Sequence, residues 1–159
     1  MREFDEYGLK LCRYQAVVFQ MSNKKTECSS PIFLRRFMYS DVAQRMDRES
    51  FLYEALPQEA VIDEITIEFG KSHYGKVKYG EEELYWMGYL YRYWCYTHRI
   101  SSKRLYKMLK PEELKKLYYP YHSLDPAQAI ERFKEANGWE EEDDIQKGVK
   151  LMREWMKKQ

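Results

Sequence analysis

Apolar and aromatic residues recur at three- and four-residue intervals along most of the chain, and polar residues fill the positions between them. At the start of the chain this spacing connects Phe4, Tyr7, Leu11, Tyr14 and Val18. The spacing places them on one face of a helix that is predicted to end near residue 19 or 21. Because only one face is apolar, we expect this helix to pack against the rest of the fold.

Start signals predict the shorter helices that follow. The signals are a serine or aspartate before the first helical residue, or a proline within the first turn. They predict helices over residues 32–39, 41–46 and 102–109, from 111 onward, and from 126 to the stop signal at Asn137 and Gly138. A last helix is expected from about residue 145.

The segment 81–97 has the composition of a central helix. Three glutamates occupy its first turn, where the helix dipole favours negative charge. One face carries Leu84, Met87, Tyr91, Trp94 and Cys95, and further aromatic residues surround much of the rest. We therefore expect this helix to be buried on most sides.

The segment 61–80 allows two interpretations. Val61, Ile62, Ile65 and Phe69 follow a helical period, but residues 65–69 also alternate between apolar and polar as in a strand. The polar residues 71–79 are typical of an exposed turn. The sequence favours a helix, and a small hairpin near 65–80 remains the alternative.

These patterns predict an all-α fold: a compact single-domain bundle of about seven or eight short helices over residues 1–159. The length of 159 residues excludes a multidomain enzyme, and 44% hydrophobic residues exclude a disordered chain. No apolar run is long enough to span a membrane and the N-terminus is acidic, so a cytoplasmic protein is expected. Three scattered cysteines without a CxxC pair predict reduced thiols.

Candidate catalytic and metal-binding motifs are sparse. The step Gly70-Lys71-Ser72 lacks the first glycine of a phosphate-binding loop, because Ile65 stands there. Cys95 and His98 are the only metal ligands with close spacing, and a zinc site needs three or four. We therefore predict no cofactor, no metal and no catalytic residues. An enzyme that uses His98 or His122 is a third hypothesis, without a substrate.

Charge is segregated in the second half of the chain, although the net charge of the whole is only +1. Residues 92–118 contain eight basic and two acidic residues, whereas residues 125–146 contain eight acidic and two basic ones. The two segments either serve the fold alone, by pairing with each other or by forming solvated faces, or they form surfaces that bind a partner. For the second case the candidate residues are Arg92, Arg99, Lys103, Arg104, Lys107, Tyr118, Tyr119 and Tyr121 on one surface, and Glu140, Glu141, Glu142, Asp143 and Asp144 on another.

The basic segment also has the spacing of a helix-turn-helix. Cys95 is the small residue at the helix crossing, residues 100–101 form the turn, and Leu105 and Met108 face inward. Arg99 stands where the turn usually has a glycine. Side chains expected to project toward a DNA major groove are Ser102, Lys103, Arg104 and Lys107.

From about residue 88 to 135 the chain resembles a family of short bacterial helical proteins encoded beside toxins with an ADP-ribosyltransferase-like domain. The resemblance is carried by the apolar-aromatic helix 89–96, the capped step 101–107, Tyr121, Leu124 and the helix with Ile130. The family has a histidine after that leucine, where this chain has Asp125. The resemblance implies a component of a toxin-antitoxin operon that acts by binding and not by catalysis.

The leading hypothesis is thus a non-catalytic protein-binding module, an antitoxin-like component of a toxin-antitoxin system that neutralises its partner by direct binding. The expected partner is an ADP-ribosyltransferase-like toxin. A helix-turn-helix regulator that binds operator DNA is the alternative, and no membrane is expected as a partner.

Overall fold

The structure is a computed structural model that describes residues 1–51, 53–139, 152–153 and 155–158. Within these residues helices are the only regular secondary structure, which confirms the predicted all-α class. The helices of seven or more residues are α1 (Glu6–Lys25), α2 (Ser30–Tyr39), α3 (Asp41–Asp47), α4 (Gln58–Phe69), α5 (Glu81–His98), α6 (Ser102–Met108), α7 (Pro111–Tyr121) and α8 (Pro126–Ala136). None of them has the length and apolar character needed to cross a bilayer. Of the last helix predicted from about residue 145, residues 152–153 and 155–157 are helical, and the remainder lies outside the described residues.

Contacts divide the chain into two units, Met1–His122 with α1 to α7 and Ser123–Gln159 with α8. Each unit is described by itself, and the single domain over residues 1–159 stays a prediction. In the second unit α8 begins and ends as its signals predict. The Asp125 carboxylate accepts a hydrogen bond from the Ala127 N–H (2.9 Å), and Gly138 adopts a left-handed conformation (φ 67°) after the last turn.

The core of the first unit is built on α1 and α5, which contact each other more extensively than any other pair of described helices. The two backbones come close together at Gly88, where a Cβ atom would lie 2.9 Å from the Cα of Ala16. The predicted apolar face of α5 is buried, and burial extends over every residue from Leu90 to Thr97. The expectation of a central helix buried on most sides is confirmed.

Serine caps place the short helices as predicted. The hydroxyls of Ser29, Ser40 and Ser101 accept hydrogen bonds from backbone N–H groups in the first turns of α2, α3 and α6. The predicted end of α1 near residue 19 or 21 is wrong, because α1 continues to Lys25. Lysines in its last turn favour this extension through the helix dipole.

The hairpin alternative for residues 65–80 is wrong. Residues 65–69 belong to α4, and the described residues 70–80 contain no strand. Their backbone instead satisfies the free N–H groups at the start of α2, since Ser29 and Ser30 donate to the carbonyls of Tyr74 (3.0 Å) and Val77 (2.8 Å). The loop is therefore fixed by a helix terminus and not by pairing with itself.

Candidate functional site

Arg92 was predicted on a partner-binding surface, and this prediction is wrong. Its side chain is 1% exposed, and each of its three nitrogens donates a hydrogen bond within the core. The acceptors are Gln15 Oε1 at 2.8 Å, Asp47 Oδ1 at 2.7 Å and Ser102 Oγ at 2.9 Å. The residue lies in the buried stretch of α5, so its charge serves the fold.

Ser102 is also buried. The prediction that its side chain projects toward DNA is therefore wrong. Its hydroxyl donates to Asp47 Oδ1 (2.7 Å) and its backbone N–H donates to Asp47 Oδ2 (2.9 Å). Asp47 thus ties the end of α3 to the first residue of α6, while Arg92 ties both to α5 and α1. A buried charge needs such partners, because an unpaired one is strongly destabilising.

The turn between α5 and α6 is tight and left-handed. Arg99 adopts φ 52° and ψ 45°, the conformation for which glycine is usually chosen, and Ile100 N–H closes the turn on the carbonyl of Cys95 (3.1 Å). This matches the position that the sequence assigned to the turn. Because α6 has seven residues, it extends only about 10 Å beyond the turn.

The remaining basic residues predicted in this segment are exposed: Arg99, Lys103, Arg104 and Lys107. Lys103 and Lys107 are four residues apart on α6, so they share one side of the helix. The buried face of α6 carries Leu105 and Tyr106. The helix therefore presents cations outward and anchors on the core through its apolar side.

The rings of two tyrosines, Tyr39 and Tyr106, lie close to basic side chains of α2, α6 and the residue before α7. Lys103 Nζ is 5.4 Å from the ring centroid of Tyr39, and Lys110 Nζ is 4.4 Å from that of Tyr106. The two rings meet edge to face with their centroids 5.4 Å apart, and Arg35 lies 6.0 Å from the Tyr39 ring. We call Arg35, Tyr39, Lys103, Tyr106, Lys107 and Lys110 the basic-aromatic face.

The basic-aromatic face carries an excess of positive charge. In the described part of the chain, the ion pairs join other residues and involve none of its four cations. Cation–π contacts of this kind hold an ammonium or guanidinium group in place without neutralising it. The rings therefore hold basic side chains in place, and the charges of these side chains remain available to an acidic group of a partner.

Three residues of this face, Arg35, Tyr39 and Tyr106, were not predicted from the sequence. Lys110 is one of the eight basic residues of segment 92–118, but it was not assigned to a surface. These residues come together only through tertiary structure, because α2 and α6 are in contact although more than sixty residues separate them in the sequence. A signal was present, because α2 also combines neighbouring arginines with an aromatic residue near its end. Only the fold shows that both helices contribute to one surface.

The predicted tyrosines of α7 have different surroundings. Tyr118 is half-buried, meets the Trp86 ring edge to face at 5.8 Å and stacks on His122 at 4.4 Å. Tyr121 is half-buried as well, whereas Tyr119 is 86% exposed. The predicted acidic surface Glu140, Glu141, Glu142, Asp143 and Asp144 lies outside the described residues.

Two of the groups considered for catalysis, Cys95 and His122, have defined surroundings in the structure. Burial raises the pKa of the Cys95 thiol to about 12, so the thiol is protonated and poorly nucleophilic at neutral pH. The Nδ1 atom of His122 lies 2.7 Å from the Tyr118 carbonyl, within its own helix turn. All three cysteines are free and buried. Among the described residues no three potential metal ligands come together.

Comparison with known proteins gives no further assignment. No family model, no curated protein and no solved structure matches the chain.

Proposed function

We propose that the protein is a non-catalytic binding protein whose basic-aromatic face binds an acidic surface of a protein partner. The observation that carries this proposal is the placement of Lys103 and Lys110 over the rings of Tyr39 and Tyr106. Tyrosine and arginine are among the side chains that contribute most at protein interfaces, and this face combines Tyr39 with Arg35. In this role the protein is an antitoxin-like component that neutralises a partner toxin by direct binding.

Electrostatics support an acidic partner. Four cations, one on α2, two on α6 and one at the N-cap of α7, attract a negative surface over a Debye length of about 8 Å at physiological salt. Such steering mainly raises the association rate, while the half-buried Tyr39 contributes to the lifetime of the complex once water is excluded. Tyr119, which is 86% exposed, is a further aromatic side chain for contact.

The first test is co-expression with the product of the adjacent gene, followed by purification and measurement of affinity. We expect a complex with an ADP-ribosyltransferase-like toxin. Reversal of two charges, Lys103→Glu with Lys107→Glu, should weaken it at least about tenfold. The matched control, Arg13→Glu with Lys71→Glu, reverses two exposed charges outside the basic-aromatic face and should bind like the wild type. Equal weakening by both double variants would remove the face from the interface.

Operator DNA is the second candidate. It is favoured by the left-handed turn at Arg99 and by the exposed side chains of Lys103, Arg104 and Lys107 on the helix that follows. In a gel-shift assay with the promoter DNA of its own operon, Lys103→Glu with Arg104→Glu should abolish binding. Wild-type binding should weaken steeply with salt. An unchanged shift in the double variant would exclude α6 as the recognition helix.

A further inference from the structure

A cavity of about 340 Å³ lies beside the turn between α5 and α6. Three arginines from separate parts of the chain line it: Arg2 before α1, Arg92 of α5 and Arg99 of the turn. Asp47 and Glu49 supply the two carboxylates of its wall. The wall therefore carries more positive than negative charge, and it lies apart from the tyrosine rings of the basic-aromatic face.

The backbone around this cavity has an unusual conformation. Glu49 (φ 58°) and Arg99 (φ 52°) are the only non-glycine residues with positive φ in the described part of the chain, and both line the cavity. Left-handed conformations disfavour residues with a side chain and concentrate at ligand sites, where the side chain is needed. At position 99 a glycine would fit the turn better, and this chain has an arginine whose side chain lines the cavity.

The three guanidinium groups are held in different ways. Arg92 is buried, and its three hydrogen bonds to described residues use three of its five N–H donors. Arg2 stacks on the Tyr96 ring at 3.9 Å and pairs with Glu49. Arg99 takes part in none of the ion pairs formed among the described residues and is exposed. The guanidinium of Arg99 is therefore available to a ligand at the rim, while Arg2 and Arg92 add positive charge that Glu49 and Asp47 partly offset.

We propose that this cavity binds a phosphate group, either free or as a monoester of a small molecule. Guanidinium forks match the oxygens of a phosphate and bind them through paired, charge-assisted hydrogen bonds. Arg99 binds the group at the rim, Arg2 binds it beside Tyr96, and Ser101, which also lines the cavity, adds a hydroxyl. The site binds without covalent chemistry, because its one thiol, Cys95, is protonated at neutral pH.

Calorimetric titration of the full chain with inorganic phosphate tests this proposal, with glycerol phosphate as the ester and acetate as a carboxylate. We expect phosphate to bind and acetate to bind at least about tenfold more weakly. If glycerol phosphate binds as well, the cavity accepts a phosphate monoester. If glycerol phosphate does not bind, the ligand is free phosphate. Acetate binding as tight as phosphate binding would overturn the assignment to phosphate.

Substitution of Arg99 separates binding from folding. Arg99→Gly removes the guanidinium but suits the left-handed turn, so the variant should melt at a higher temperature than the wild type while binding phosphate at least about tenfold more weakly. Arg99→Gln should show the same loss of binding. Arg13→Gln is the control, because Arg13 is exposed and does not line the cavity. Phosphate affinity retained in both Arg99 variants, or absent in the wild type, would overturn the proposal.

Discussion

Arg92 of α5 and Asp47 at the end of α3 form an ion pair inside the protein, with 2.7 Å between Nη1 and Oδ1. The basic residues of segment 92–118 therefore differ in burial, and they fall into a buried group and an exposed group. Arg92 holds helices together, while Lys103 and Lys107 remain outside on α6. Only the exposed group is available for binding a partner.

Removing Asp47 should destabilise the fold. In Asp47→Ala the buried Arg92 loses its carboxylate, and loss of one member of a buried ion pair costs about 3–5 kcal/mol. Urea unfolding followed by circular dichroism measures the change. Asp63→Ala is the control, since Asp63 is an exposed acid of α4 and its removal should change stability by less than about 0.5 kcal/mol. Equal unfolding midpoints for the two variants would contradict a structural role for the pair.

Gly88→Ala tests the contact between α1 and α5. Helix propensity alone predicts that alanine stabilises a helix interior by about 1 kcal/mol. The new Cβ, however, would lie 2.9 Å from the Cα of Ala16 and from the carbonyl oxygen of Gln15, and these backbone atoms cannot move alone. We therefore expect a loss of about 1–3 kcal/mol in the free energy of unfolding. A stabilised variant would show that the helices are farther apart.

Asp5, the N-cap of α1, should make stability depend on acid pH. Its carboxylate accepts a hydrogen bond from the Tyr96 hydroxyl (2.5 Å), which is the main cause that lowers its pKa from 3.8, followed by the bond from Gly8 N–H. Because the folded pKa is the lower one, this stabilisation is present above pH 3.8 and is lost as the pH falls through the folded pKa.

The hydroxyl of Tyr96 can be removed to test this coupling. In Tyr96→Phe the pKa of Asp5, measured by NMR titration of its carboxyl carbon, should rise toward 3.8. Tyr119→Phe removes a hydroxyl from an exposed ring on α7 and should leave the Asp5 titration as in the wild type. The same Asp5 pKa in wild type and Tyr96→Phe would mean that the hydrogen bond is absent in solution.

Local signals in the sequence were sufficient for most of the fold. Serine caps, Pro126 and Gly138 act within one turn of their own positions, so their effects can be predicted without knowing tertiary contacts. The course of residues 70–80 depends on hydrogen bonds to Ser29 and Ser30, more than forty positions away. No local pattern contains that information.

The candidate site was predictable only in part. Lys103 and Lys107 were found because charge was counted along one helix, and helix geometry alone places them on one side. Arg92 was placed wrongly because a charged residue is rarely buried, and its partners Gln15 and Asp47 come from distant helices. Tyr39 was not predicted because its neighbours on α6 are distant in the sequence, and only the fold brings α2 against α6.

The most direct test of the proposed function is the association rate with the product of the adjacent gene, which we propose to be the partner, measured at low and at high salt. For the wild type we predict a rate that falls about tenfold or more as salt screens the basic-aromatic face. For Lys103→Glu with Lys107→Glu we predict a slow rate that salt hardly lowers, and for Arg13→Glu with Lys71→Glu a rate like that of the wild type. Identical rates and identical salt dependence for all three proteins would contradict partner binding through this face.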